Sequence, residues 1–343
     1  MTDLTDRRIA LIGGAGFIGH NLALALKRRG ATVEVLDGLE VNHLVHYAAL
    51  PPTEPNRDLY IKILLQRLDL LSEAGIPLRR QDARDYNGLS GQLTDFAPDT
   101  IVHLAAVAHA NRSNKDPFST FDHSMRTLEN ALDWARNFDL HRFVFFSSSM
   151  VYGNFLTPEV SEDHPLDPIG IYGALKLGGE KLVIAYNQVF DLPYTIIRPS
   201  ALYGERCVSR RVGQIFIENA VQGLEVSVAG DGSDRLDFTY IDDFIQGVLR
   251  VIVEPASRNQ IFNITYGESR SIGQMADILA AHFPGVRITY LPKDKLMPSR
   301  GTLSVEKARR LIGYDPQYPL EKGFVEYIQW YKSLFMVQAY AAA

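Results

Sequence analysis

Ile9-Ala10-Leu11-Ile12-Gly13-Gly14-Ala15-Gly16-Phe17-Ile18-Gly19 decides the fold. Its four leading apolar residues read as a buried strand, and the glycines behind them set a tight turn. From His20 to Arg29 the apolar residues recur at helical spacing, and Gly30 stops that helix. Thr32-Val33-Glu34-Val35-Leu36-Asp37 is a second strand that ends in an acid. Strand, helix and strand in this order imply a parallel pair joined by a right-handed crossover. Gly14-x-Gly16-x-x-Gly19, overlapped by Gly13-x-x-Gly16-x-x-Gly19, lets the backbone approach a pyrophosphate at the helix N-terminus. Unpaired N–H groups and the helix dipole favour an anion there. Glycines alone mark only a turn. Their place between strand and helix, with Asp37 18 residues after Gly19, points to a dinucleotide. A carboxylate at Asp37 accepts from both ribose hydroxyls and repels a 2′-phosphate, which favours NAD over NADP.

Outward from this unit the alternation continues. Pro51-Pro52 and Pro55 mark a loop, and Leu59 to Ala74 reads as a helix. Thr100 to Ala106 is an apolar strand, Phe118 to Asn137 a helix, and Arg142 to Ser147 a strand. Leu166 to Phe190 reads as a helix, and Tyr194 to Arg198 returns to strand. The predicted class is α/β, a Rossmann-type doubly wound parallel sheet. After Pro199 the rhythm loosens. Val226-Ser227-Val228 and Phe238-Thr239-Tyr240-Ile241 read as strands, Ser271 to His282 and Ser304 to Leu311 as helices. An NAD-binding domain is expected over residues 1–200 and a smaller α/β substrate-binding region over 201–343, with some of its elements returning to the first.

The 343 residues, 46% hydrophobic and 22% charged, suffice for a sizeable globular core. A net charge of −5 with no basic run argues against a nucleic-acid partner. The apolar run Ile9 to Ile18 is too short and glycine-broken for a membrane span. Cys207, the single cysteine, allows no internal disulfide and fits a cytoplasmic setting. Ala341-Ala342-Ala343 reads as a frayed end.

Tyr172-Gly173-Ala174-Leu175-Lys176 puts a phenol and an ammonium four residues apart, on one face of a helix. A phenol ordinarily titrates near ~10. A neighbouring positive charge favours the phenolate. Tyr172 then exchanges a proton with a substrate alcohol while a nicotinamide takes the hydride. By spacing alone the pair is an ordinary surface motif; the glycine loop gives it meaning.

With these residues in view the chain resembles the extended short-chain dehydrogenase/reductases, in particular the NAD-dependent nucleotide-sugar epimerases and dehydratases. The matching motifs are the glycine loop, Asp82-Ala83-Arg84-Asp85, His103-Leu104-Ala105-Ala106, Ser147-Ser148-Ser149-Met150-Val151-Tyr152-Gly153, Tyr172 with Lys176, Arg198-Pro199 and Asp237-Phe238-Thr239-Tyr240-Ile241-Asp242-Asp243. The resemblance implies that Phe17 and Ile18 lie over the pyrophosphate and that Asp82 and Ala83 contact the adenine. It implies that Leu104, Ala105 and Ala106 line the cofactor crevice and that Pro199 and Ser200 border the nicotinamide. Ser148 would hydrogen-bond the reacting sugar oxygen, and Lys176 would bind the nicotinamide ribose and help hold Tyr172 as phenolate.

Family dehydratases carry an acid pair after the active-site serine or threonine, and family decarboxylases usually a glutamate. Ser149 and Met150 stand there in this chain. The resemblance therefore implies 4-epimerisation of a nucleotide sugar, of UDP-glucose/galactose or UDP-glucuronate type. A decarboxylase, a 4-ketoreductase and a non-catalytic nucleotide-sugar sensor are the alternatives. Ser149, Arg235 and Arg300 are the candidates for gripping the substrate. Relatives place arginine directly before the Asp-Phe/Tyr pair, where this chain has Leu236, with Arg235 one position earlier. They often carry asparagine at the positions of Ala201 and Ser124. A homodimer is expected through the Tyr172 helix and the helix near residues 118–137.

His103, His109 and His123 do not have the spacing of a metal site, and no metal is expected. His103 reads as the cap of a buried strand, and His109 as a border of the substrate. Asp242-Asp243 reads as N-terminal helix capping. Phe324, Tyr327, Trp330 and Tyr331 follow helical spacing and read as packing.

Overall fold

The computed structural model describes residues 4–41, 43–107, 110–292 and 298–341. His109, Ala342 and Ala343 lie outside the described residues. Seven parallel strands form the central sheet, in the order Gln260–Asn263, Tyr194–Arg198, Arg142–Phe146, Thr100–His103, Arg8–Ile12, Thr32–Asp37 and Leu78–Arg80. Arg8–Ile12 sits between Thr32–Asp37 and Thr100–His103, with Ile9 facing Val33 on one side and Thr100 on the other. Helices cover both faces, which is why the inner strands are near-continuous apolar runs. Chain order runs outward in both directions from Arg8–Ile12. The crevice of a doubly wound sheet opens at that switch point, outside the carboxyl ends of the strands.

Three local departures from the sequence expectations shape this crevice. The first helix spans Phe17–Lys27 and so begins inside the glycine loop. Gly16 is its N-cap, extended at ψ −178°, and Gly13 turns at φ 80°. A Cβ on Gly13 would stand 2.6 Å from the Ala105 amide nitrogen, so only glycine fits. The apolar strand ends at His103. Leu104 and Ala105 both donate their amides to the Ile12 carbonyl, at 2.8 and 3.0 Å, which bends the chain over the end of the first strand. The single helix expected over 118–137 is Pro117–Phe121, a wide π-turn at Asp122–Arg126, and Thr127–Ala135. Asp116 caps its start by accepting from the Ser119 amide at 3.1 Å, with proline behind it. Hydrophobic periodicity does not register such a one-residue widening.

The helix that carries Tyr172 spans Gly170–Phe190. Ile169 is extended and Gly170 turns at φ 82°, so Tyr172 falls in the first turn. Later parts of the chain return to the sheet. Gln260–Asn263 is its outermost strand beside Tyr194–Arg198, and the Ile241–Val253 helix packs on Phe17–Lys27. Asp243 does not cap its own helix. It accepts from the amides of Gln317 and Tyr318, at 2.6 and 2.8 Å, and ties down the approach to the last helix. That helix buries Phe324, Tyr327 and Tyr331, and the Tyr331 hydroxyl donates to Glu218 at 2.8 Å.

One buried polar network joins these parts. Arg198 donates from Nε and Nη2 to the two oxygens of Glu180, at 2.9 and 2.7 Å, with both side chains 1% exposed. Ser147 donates to the same carboxylate. Arg198 Nη1 reaches the Tyr152 hydroxyl at 2.9 Å, and Tyr152 donates to Asn263 at 2.7 Å. The network therefore spans the Tyr172 helix, the serine strand and the two outer strands. Glu180→Gln leaves a buried guanidinium uncompensated and is expected to lower unfolding free energy by about 3 kcal/mol, measured by urea denaturation.

Candidate active site

The crevice brings together most of the expected cofactor residues, while Tyr172, Lys176, Pro199 and Ser200 are not part of its lining. Gly13, Gly16, Phe17, Ile18, Gly19, Asp37, Asp82, Ala83, Leu104, Ala105 and Ala106 line a single cleft. The helix that opens on it has no acid in its first turn, so its free N–H groups meet no competing carboxylate. A Cβ on Gly16 would meet nothing nearer than the Gly13 carbonyl at 3.4 Å, which leaves open space above the loop. Asp37 accepts from the Ala15 amide at 2.9 Å and the Leu39 amide at 2.8 Å, bracing the loop from the end of its strand. Burial pushes its carboxyl up, and those two bonds pull it back. Asp82 is held below the usual carboxylate range by hydrogen bonds from Arg84. Arg84 also reaches Glu40 and Asp122, at 3.0 and 3.2 Å. The π-turn brings His123 to the same cleft, 3.8 Å from Glu40. This set of donors, acids and open glycine backbone fits a dinucleotide.

Ser148, Tyr172 and Lys176, expected to handle the proton, gather near the carboxyl ends of the strands. Ser148 ends the Arg142–Phe146 segment as the N-cap of the turn Ser149–Tyr152. The Ser149 amide donates to the Pro199 carbonyl at 2.9 Å, so the serine run and Pro199-Ser200 lie side by side. Tyr172 is half-buried, with the Ser148 hydroxyl near enough to influence its titration. Burial pushes the phenol up, while the Arg211 charge and the Ser148 hydroxyl pull it down. Lys176 donates to the Phe146 carbonyl at 2.7 Å, and its Nζ lies 5.9 Å from the Tyr172 ring centre. Helical spacing gives the two residues one face, but the strand carbonyl captures the ammonium. Arg211 is a second cation that acts on the phenol, from outside the helix.

The sequence profile of the NAD dependent epimerase/dehydratase family matches residues 9–265. The chain belongs to that family. It is 32% identical over 333 residues to the uncharacterized UDP-glucose epimerase YtcB of Bacillus subtilis, covering 96% of this chain and 99% of that protein. It is 27% identical over 350 residues to UDP-glucuronate 4-epimerase 1 of Arabidopsis thaliana, covering 95% and 77%. Its fold matches the crystal structure of UDP-glucuronic acid 4-epimerase from Bacillus cereus, in complex with UDP-glucuronic acid and NAD. That match has a TM-score of 0.83 at 28% identity and covers 95% of this chain and 99% of the other. The protein is an extended short-chain dehydrogenase/reductase, and NAD is its cofactor.

As a member of this family the chain still has its own substrate side. The Arg235 side chain is exposed, with Nε on the Ser269 hydroxyl at 3.0 Å and Nη2 on the Ser269 carbonyl. Its guanidinium serves the small antiparallel pair of Arg235–Leu236 with Arg270–Ser271. Arg300 is half-buried, and its Nε makes no hydrogen bond. Burial first and nearby Arg211 second lower its pKa to about 10, against the opposing charge of Asp234. Arg211 lines the NAD cleft and acts on both Tyr172 and Arg300. Sequence reasoning missed it. The signal was Arg210-Arg211 directly before the helix Val212–Val221.

The serine-strand motif and Arg198-Pro199 contribute scaffold as well as chemistry, because Tyr152, Ser147 and Arg198 are all spent in the buried network. Asp237, from the last motif, accepts from Thr265, Gly267 and Leu303 and is pushed up to about 6 by burial. His103 ends its strand fully buried, its pKa lowered to about 3, and stacks on Phe143. Among the described residues, no group of three His, Cys, Asp or Glu side chains could hold a metal ion. No described helix is long and apolar enough to cross a membrane.

Burial lowers the Lys176 pKa from 10.5 to about 8, with Glu180 opposing. The folded chain thus releases this proton before the unfolded chain does. Its burial penalty is in force below pH 8 and is relieved as pH rises towards 10.5. Wild-type stability relative to Lys176→Met should therefore increase over that window. NMR of the lysine side chains should show one group titrating near pH 8, and a normal midpoint for every lysine would contradict this account.

Proposed function

We propose that this enzyme is a UDP-sugar 4-epimerase, of UDP-glucose/galactose or UDP-glucuronate type. The observation that carries the reading is that Ser148, Tyr172 and Lys176 stand together past the ends of the strands, Lys176 Nζ 5.9 Å from the Tyr172 ring centre, with no acid or base at Ser149 or Met150. Ser148 holds the C4 oxygen of the sugar, and Tyr172 removes its proton. NAD supplies the reversible acceptor for the C4 hydride. The planar 4-keto sugar turns over in the pocket, and Tyr172 returns the proton on the other face. One base serves both halves, and no cofactor is consumed. Lys176, once the cofactor ribose is beside it, orients that ribose and adds to the field on the phenol. Arg300, whose Nε makes no hydrogen bond, takes the diphosphate, with Arg211 nearby at the cleft. Arg235 is the weaker candidate because Ser269 already occupies it. Ser149 and Ser200 border the sugar and the nicotinamide.

The likeness to the relatives above supports the UDP carrier. In Tyr172→Phe, turnover should fall by about 10³-fold while NAD affinity is retained. Proton NMR of UDP-sugar incubations should show the C4 epimer appear without net NADH. Accumulating NADH, or a product lacking carbon dioxide or water, would favour the reductase, decarboxylase or dehydratase readings instead.

Assembly as a homodimer belongs to the same proposal. The helices around residues 117–135 and Gly170–Phe190 run side by side: Gly170 lies by Asn114, Gly178 by Met125 and Phe190 by Arg136. Their outer face exposes Phe118 at 84% and Val189 at 70%, along with Phe121, Ile171 and Phe190. Ala174 and Gly178, exposed between them, allow close approach by a second copy. Light scattering should give a dimer for the wild type and a monomer for Phe118→Asp/Val189→Asp, and a monomeric wild type would refute the assembly.

A further inference from the structure

Arg67 belongs to the helix Arg57–Glu73, in the connection that follows Asp37 and outside the glycine fingerprint. It is 1% exposed, yet it lines the NAD cleft. Nε and Nη2 both donate to the Arg206 carbonyl, and Nη1 makes no hydrogen bond among the described residues. No described carboxylate lies within ion-pair distance of it. Asp37 attracts it from farther away, and that carboxylate is already engaged by the Ala15 and Leu39 amides. Cys207 and Tyr47 favour its charge more than Asp37 does, and neither is a carboxylate. His20 and His43 are both held neutral, first by burial and then by Arg67 itself. His43 lines the same cleft at 2% exposure. Its Nδ1 accepts from the Leu44 amide at 2.8 Å, so Nε2 carries the hydrogen, and Nε2 is buried without a hydrogen-bond partner.

A buried guanidinium lacking an ion partner is unfavourable, and burial lowers the pKa of Arg67 to about 10. A buried N–H without an acceptor adds to that cost. Both orphans face the cleft that the first turn of Phe17–Lys27 also faces. The anion that would satisfy them must enter with the ligand.

We propose that Arg67 is the counterion for the pyrophosphate of bound NAD, with the His43 Nε2–H as a neutral donor beside it. The pyrophosphate is then clamped between the helix N-terminus and a side chain from the connection after Asp37. This rests on the cleft being the NAD site. The competing reading is that Arg67 only secures the Arg206 carbonyl.

Calorimetric titration of the full chain, freed of bound nucleotide, with NAD, ADP and adenosine separates the two. Arg67→Met should weaken NAD and ADP by about 10–100-fold, the worth of charge-assisted hydrogen bonds, and adenosine by less than about threefold. NAD and ADP affinities within about threefold of wild type would overturn the proposal, as would an equal loss for adenosine. Should Arg67→Met not fold, Arg67→Lys carries the test. It keeps the charge but loses the fork, so ADP should weaken by roughly threefold or more with adenosine unchanged, and unaltered ADP binding overturns the proposal. Gly16→Val fills the open space above the loop. If it leaves NAD binding intact, the cleft reading itself fails; if it abolishes binding while Arg67→Met does not, only the role of Arg67 falls.

Discussion

Glu180 and Arg198 meet where every catalytic element converges. Glu180 is on the Tyr172 helix, Arg198 ends the strand that leads to Pro199 and Ser200, and Ser147 on the same carboxylate precedes Ser148. The placement of Ser148, Tyr172 and Pro199 thus depends on a buried ion pair. Burial makes the pair unforgiving, because either charge alone would be stranded in a dry interior. It also reaches the relay electrostatically, since the Glu180 charge is what opposes the loss of the Lys176 proton. Geometry and protonation are therefore set by one contact.

Around that scaffold the cleft is built to receive negative charge. Arg67 lies beneath it, Arg211 at its far wall, and Arg300 close to Arg211. The helix N-terminus adds its dipole without an acid in the first turn. Burial disfavours the charged forms of Arg67 and Arg300, which an anion would offset. A dinucleotide and a nucleotide-diphosphate sugar each bring one, and both ends of the reaction then find compensated charges.

Much of this was legible in the chain. The glycine loop, Asp37, Asp82-Ala83 and Leu104 to Ala106 are local motifs, and the parallel sheet carries them to one edge by topology alone. Two kinds of feature were not legible. Arg67 sits in an amphipathic helix where one arginine looks like any other surface charge, and only the packing of residues 206–208 against it reveals its burial. Arg235 looked like a diphosphate ligand from its neighbours in sequence, but the local strand pair hands its guanidinium to Ser269. The π-turn at Asp122–Arg126 was likewise invisible, because one extra residue in a turn leaves the apolar periodicity almost unchanged.

The sequence by itself determined the strand–turn–helix unit, the doubly wound α/β class and the identity of the Ser148, Tyr172 and Lys176 side chains. Those features follow from periodicity and from glycines that no other residue can replace. Tertiary structure alone decided that a second cation acts on the phenol. Lys176 lies over the Tyr172 ring with its ammonium on the Phe146 carbonyl, while Arg211 comes from 39 residues beyond Tyr172. Electrostatic forces depend on distance through space and on burial, and neither is written in the spacing of residues along a helix.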